Sequence, residues 1–329
     1  MRKHLQAALR RGETWAMISV LDYTAISLLV RRATGSGDPA IAVTLRALPA
    51  LVVTAIVTLS TPRRRNQLMP GSSEFLGWRP IAAIFAQAIL IFSIGNTLNF
   101  ESLKWGGLAI TSPVTSLSAI FGGILAYLVL REVFNMPMLI GMIISTVGVL
   151  VLTRGQSQGA PVSPYWMRAV GLSLIGAFGS AIGGILLTYA LRKRADIFVA
   201  MLLSTGTAVV SMFVALLVRG RLALYWTSPA SAVRDLAVAG LFNAMSLLAI
   251  TQSLALTSWA ISTSITRLGV VMAPLAGMIF LGEKISPLMW IGILIVTVGV
   301  FVVQWGQAQG KRRSTPHPVG ASPKGVIQR

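Results

Sequence analysis

The chain has 329 residues, of which 54% are hydrophobic and only 11% charged, against about 25% charged in soluble domains. So few charges cannot cover a soluble surface, and a mean hydropathy of +0.75 makes lipid the solvent. The formal net charge of +19 would suit a nucleic-acid surface, but its placement argues against that partner: of 28 Lys and Arg, only Arg46 and Arg267 fall well inside apolar segments.

The apolar runs predict an all-α integral membrane protein of ten transmembrane helices. In chain order the first five are Thr14–Val30, Pro39–Leu59, Pro80–Phe100, Gly106–Leu130 and Pro137–Leu152. The second five are Arg168–Leu191, Ile197–Val218, Asp235–Leu256, Ala260–Leu281 and Pro287–Val303. Each is long enough to cross a core of about 30 Å at roughly 1.5 Å per residue. The expected organisation is a basic cytoplasmic segment 1–13, a five-helix unit 14–153, a linker 154–166, a second unit 167–304 and a basic disordered tail 305–329. The first run contains Asp22 and lacks a small-residue cleavage site, so it reads as a span and not as a signal peptide. Lys311, Arg312 and Arg313 suit the tail to contact with anionic lipid.

With the N-terminus inside, inner loops and tails collect 17 Lys and Arg and outer loops nine. That bias puts both termini in the cytoplasm and the protein in the cell membrane, with Arg219–Arg234 the one loop against it. All eight tryptophans lie near a span end or in a short loop, as interfacial anchors do. Cysteine is absent and both histidines, His4 and His317, are in polar tails. No metal or cofactor is expected.

The strongest feature is internal. Shifted by 151 residues, Ala109–Gly155 aligns without a gap onto Ala260–Gly306, with about a third of positions identical. Leu130, Glu132, Gly141, Gly148 and Gly155 meet Leu281, Glu283, Gly292, Gly299 and Gly306. An odd number of spans separates the copies, so the second enters the membrane from the opposite side. Two inverted five-helix repeats are a frequent design of secondary transporters, with the substrate near the midplane.

The runs LVLREVFNMPMLIGMIISTVGVLVL (Leu128–Leu152) and IFLGEKISPLMWIGILIVTVGVFVV (Ile279–Val303) resemble the EamA-type branch of the drug/metabolite transporter superfamily. The resemblance extends over Trp15 to Gln304, with Asp38-Pro39 and Arg46 in TLRALPALVV similar to the family's second helix. It implies ten spans and transport of metabolites or drugs, with export the direction. The family writes Leu-Gly-Glu at the turn; the first copy departs with Leu130-Arg131-Glu132. On this resemblance Glu132 and Glu283 form a turn signature and are not taken as ligands. Their charge is expected to be offset locally by Arg131 and Lys284.

Ionisable groups within spans are functional candidates by default, because burying them is costly. Asp22 and Arg46 fall at similar depth on antiparallel spans, about 10–12 Å from one surface, which permits an ion pair, either structural or acting in transport as a proton or amine carrier. Arg267 should face a wet cavity or a carboxylate. Glu101 pairs with Lys104 or takes part in proton coupling. Asn96, Asn99, Thr115, Asn243, Gln252 and Thr266 are softer candidates, since such groups commonly bond between helices. Tyr23 could stack on a substrate. Gly179 and Gly183 have the spacing of a close helix contact, and Pro113 and Pro274 sit where helices kink.

No His lies in a span to serve as a base, and no Walker motif is present, which argues against an enzyme or a pump. The reading is a secondary transporter of a small organic metabolite such as an amino acid, moving by alternating access. The alternatives are an exporter of cationic drugs or polyamines, and a membrane sensor or scaffold. The partners are a small-molecule substrate, membrane lipid and, as a candidate coupling ion, the proton; no oligomeric state follows.

Overall fold

Helices take up the apolar runs, because a chain in lipid must satisfy its backbone polar groups internally. The computed structural model describes residues 11–33, 39–132, 135–157, 164–220, 223, 229–281 and 285–314, and among these every regular element is helical. The first half contains α1 (Gly12–Ala33), α2 (Pro39–Leu59), a short α3 (Pro62–Leu68), α4 (Trp78–Ala88), a π-helical stretch (Ile89–Gly95), α5 (Asn96–Ser116), α6 (Ser118–Leu130) and α7 (Met136–Ser157). The second contains α8 (Trp166–Arg192), α9 (Ile197–Val218), α10 (Ala230–Leu256), α11 (Trp259–Thr266), α12 (Leu268–Leu281) and α13 (Pro287–Ser314). α13 thus continues into the segment expected as a tail; Glu283, Asp38 and residues 315–329 lie outside the described residues.

Among the described residues, six helices are long and apolar enough to cross a membrane: Trp78–Asn99, Met136–Gly155, Trp166–Arg192, Ile197–Val218, Val233–Leu256 and Pro287–Gly306. Thr44–Leu59 with Pro62–Leu68 makes a seventh if a pair bent by 104° is one span. The expected fourth and ninth spans are each broken in two. Leu117 separates α5 from α6 and Arg267 separates α11 from α12, with nearly equal backbone angles of φ −62, ψ −17 and φ −64, ψ −22.

Helix ends are made by local chemistry. Asp196 caps α9 by accepting from the Phe198 N–H at 2.9 Å, which satisfies one of the free donors of the first turn. α6 closes on Arg131 in the left-handed region at φ 53, and Glu132 N–H bonds back to the Ala126 carbonyl at 3.2 Å. Such a closure favours glycine, since a side chain there costs about 1–2 kcal/mol. The second copy has Gly282 in the matching place.

The most extensive helix contact joins α7 to α13. A Cβ at Gly148 would meet Val296, and one at Gly299 would meet Ser145. Gly141 faces Val303 as Gly292 faces Leu152, and Gly155 faces Met289 as Gly306 faces Met138. Each second contact is the first with both residues moved by 151 positions onto the other helix. Hydrogen bonds repeat likewise: Asn135 Nδ2 donates to Gly306 O at 2.5 Å, and Ser286 Oγ to Gly155 O at 3.3 Å. The same side chains cap their own helices, accepting from Met138 N–H at 3.1 Å and Met289 N–H at 3.3 Å. Contacts at falling numbers on one helix and rising numbers on the other mean that α7 and α13 run antiparallel. Gly183 of α8 packs on Ile91 and Gly179 lies by Leu90, so that small-residue face receives the π-helical stretch.

Adding a methyl at either buried glycine drives it into the facing backbone. Gly148→Ala and Gly299→Ala should each cost about 1–3 kcal/mol and lower the unfolding temperature in detergent by similar amounts. Gly171→Ala, where a new Cβ would meet no other described part of the chain within 4 Å beyond its own stretch of helix, should not lower it. Unequal effects of the first pair would contradict the equivalence of the two contacts.

Candidate functional site

Two adjoining chambers lie between the helices. The first, of about 400 Å³, is lined by Ser19 and Tyr23 of α1, by Thr115, Ser116 and Ser118 at one helix break, and by Thr263, Thr266 and Arg267 at the other. The second, of about 350 Å³, is mainly apolar, with Ile91, Phe92, Leu187, Met201, Ile250 and Leu254 in its wall. Ser118, Trp259, Thr263 and Thr266 line both. Trp259, Thr263, Thr266 and Arg267 recur at the spacing of one helix face, so α11 presents a single stripe to both chambers.

Arg267 is the cation of the first chamber. Its Nη2 donates to the carbonyl of Ser116, the last residue of α5. A helix that stops leaves its final carbonyls unpartnered and slightly negative, and a guanidinium satisfies both conditions. The other nitrogen, Nη1, is buried and has no hydrogen-bond partner among the described residues. The guanidinium thus holds one buried donor without a partner among the described residues, on a residue that lines the chamber.

The expected site residues divide. Tyr23, Thr115, Thr266 and Arg267 converge on the first chamber. Asp22, Arg46, Asn96, Asn99, Glu101, Asn243 and Gln252 do not appear in either lining among the described residues. The ion pair anticipated between Asp22 and Arg46 is not formed. Equal depth is not adjacency: α10 packs against both α1 and α2, which scarcely touch each other. Asp22 Oδ2 and Asn99 Oδ1 are buried without a hydrogen-bond partner among the described residues. The ionisable neighbour of Arg46 is Tyr23, and its carbonyl accepts from Asn243 Nδ2 at 3.5 Å. Glu101 does have an interaction partner, whereas the Lys104 side chain lies outside the described ones.

Sequence reasoning passed over Ser19, Ser118, Thr263 and Trp259, although Trp259-Ala-Ile-Ser-Thr263-Ser-Ile-Thr266-Arg267 carries its polar stripe at helical spacing. It also gave Glu132 the wrong partner. The carboxyl lies just past α6, with its side chain 7% exposed, and is paired with Arg192 of α8 instead of Arg131. Its Oε2 accepts from the backbone N–H of Trp259 at 3.1 Å. Arg192 Nη1 also donates to the Leu130 carbonyl at 2.8 Å, closing the end of α6.

Burial pushes the Glu132 carboxyl above its ordinary 4.5, against the downward pull of Arg192 and of the Trp259 N–H. The folded chain therefore holds this proton more tightly than the unfolded one. The resulting stability is fully present below the ordinary value and is lost as pH rises through the raised one. Glu132→Gln removes that titration. Unfolding midpoints in detergent should fall with rising pH in the wild type relative to Glu132→Gln; parallel curves would contradict the assignment.

Comparison with known proteins fits this architecture. A family model described as the EamA-like transporter family matches residues 10–154 and again residues 167–305. A search of curated proteins finds no significant match. One solved chain, described simply as a crystal structure of a protein, covers 92% of this chain and 99% of its own length with a TM-score of 0.70 at 13% identity. At that identity the likeness concerns the fold alone.

Proposed function

The chain belongs to the EamA-like transporter family, a family of transporters and not of enzymes, and on that premise we propose a secondary transporter that exports a small organic metabolite, such as an amino acid, by alternating access. We count ten crossings, adding α1, α2, the broken pair α5–α6 and the broken pair α11–α12 to the six long apolar helices. They form two inverted five-helix repeats in the cell membrane, with both termini cytoplasmic. The exchanged contacts between α7 and α13 support this arrangement. So does Arg267, which bonds to Ser116 exactly 151 positions away, the offset of the sequence repeat. Equivalent residues can touch only near the axis that relates the halves, and secondary transporters bind substrate at such an interface.

The observation that carries the reading is Arg267 in the lining of a chamber rich in hydroxyls, with its Nη1 buried and without a hydrogen-bond partner among the described residues. A guanidinium favours a carboxylate, which can receive two parallel hydrogen bonds. The hydroxyl oxygens of Ser19, Thr115 and Thr266 suit an ammonium group, and the adjoining apolar chamber suits the rest of the molecule. Among the described residues no Asp or Glu lines either chamber, which counts against the alternative of a polyamine or cationic drug. The proton remains the candidate coupling ion, with Asp22 as its carrier and Glu101 as the second candidate.

Purified protein in proteoliposomes should move one class of carboxylate-bearing solute from a labelled metabolite panel, faster with an imposed pH gradient. Loss of a charged hydrogen bond is worth about 1.5–3 kcal/mol, so Arg267→Gln should cut flux about 10-fold or more. Asp22→Asn should weaken flux or uncouple it from pH while the protein stays folded and inserted. Undiminished flux in Arg267→Gln would reject the anion site. No flux of any solute from folded wild-type protein would reject transport and favour a sensor or scaffold.

A further inference from the structure

Glu132 and Trp259 belong to different halves, yet they are bonded to each other beside the cavity. Trp259 opens α11 with its indole 4% exposed and in the wall of both chambers. The ring is seated in a slot without side chains: a Cβ at Gly122 of α6 or at Gly184 of α8 would overlap it. Behind the ring, the Trp259 N–H is a free donor of the first helical turn. Its acceptor is supplied by the other half, from Glu132 Oε2 at 3.1 Å and Oε1 at 3.4 Å. Beyond Glu132 comes Arg192, 45% exposed. From chamber to solvent the order is therefore indole, carboxylate, guanidinium.

The same end of the bundle carries further bonds between the halves. Arg64 of α3 pairs with Asp196 at 3.1 Å, and Gln67 bonds to the Arg194 carbonyl at 3.2 Å and accepts from the Asp196 N–H at 3.0 Å. This end is shut. Those bonds lie outside the chamber walls, whereas the Glu132 bond acts on a residue that forms them.

We propose that Glu132 is a positioning residue that latches this end of the bundle: by capping α11 across the two halves it holds the Trp259 indole as a plug between the chambers and solvent. The inference rests on the transport reading for its claim that this end must open. If the halves move apart here, the Glu132–Trp259 bond has to break, because one partner belongs to each. The device is one-ended. At the repeat offset, Glu132 corresponds to Glu283 but Trp259 corresponds to Leu108, so the sequence repeats the carboxylate and not the indole. Arg192 is half exposed, and an exposed partner contributes little through screened charge. The acceptor for the Trp259 N–H is what the latch needs.

The chain contains no cysteine, so Ser118→Cys, in the wall of both chambers, introduces a single thiol. Its labelling by a membrane-impermeant maleimide is measured from each face of membrane vesicles, without substrate. Removing a helix cap shifts the open-to-closed ratio about fivefold. Glu132→Ala should therefore speed labelling about fivefold from one face only, while Glu132→Gln, which keeps an oxygen acceptor, and Arg192→Ala should label near the parent rate. Gly122→Ala, which displaces the indole and leaves Glu132 in place, should speed labelling from that same face. Parent-rate labelling in Glu132→Ala would overturn the latch. Labelling of Glu132→Gln as fast as Glu132→Ala would overturn the cap as its cause, and slow labelling in Gly122→Ala would overturn the indole as plug. The assay needs no flux, so its failure leaves the transport reading standing, and failure of transport leaves the labelling result interpretable.

Discussion

A guanidinium held inside an apolar bundle must find acceptors, and the break after Ser116 supplies the first. Where α5 stops, its last carbonyls lose their helical partners, and Arg267 donates to the final one. Arg267 itself stands where α11 stops, in almost the same backbone conformation as Leu117. One half thus brings an open helix end and the other brings the cation that closes it. Arg267 commits Nη2 to this carbonyl, and its Nη1 is buried without a hydrogen-bond partner among the described residues, beside the chamber that both breaks line. The position of the candidate site and its charge depend on this contact.

The surrounding contacts differ in what they allow to move. α7 and α13 meet through glycines that let the two backbones approach closely, and their caps bond across the same seam. At Gly148, Gly292 and Gly299 the facing atoms include backbone, at Val296, Leu152 and Ser145, which leaves little room to slide and suits a fixed post. Near Glu132 the halves are joined by side chains, several of them partly exposed. Exposed ion pairs are individually weak. A hinge at the glycine post and a release at these polar contacts would suit motion of one half against the other.

Much of this was legible in the sequence because it is repetitive or compositional. Charge scarcity identified the membrane, the 151-residue offset identified paired segments, and Gly141, Gly148, Gly292 and Gly299 fell at the seam that small residues imply. Arg267 was singled out by cost alone, as an ion in an apolar run. What escaped depends on contacts distant in sequence. Neither helix break is marked by glycine or proline at Leu117 or Arg267 itself, so both runs read as continuous spans. Glu132 has a cation next to it, yet its partners are 60 and 127 positions away. Depth arithmetic placed Asp22 level with Arg46, but depth cannot reveal that α10 lies between their helices.

The proposal of alternating access, with one half moving against the other, is tested most directly by distances between spin labels at both ends of the bundle. Exposed positions Arg65 and Lys193 report on the Glu132 end, and exposed positions Arg154 and Arg219 on the other, with each pair spanning the halves. On adding a solute that the protein carries, the account predicts that one distance lengthens while the other shortens. Two unchanged distances, or two that change in the same sense during measurable flux, would contradict it.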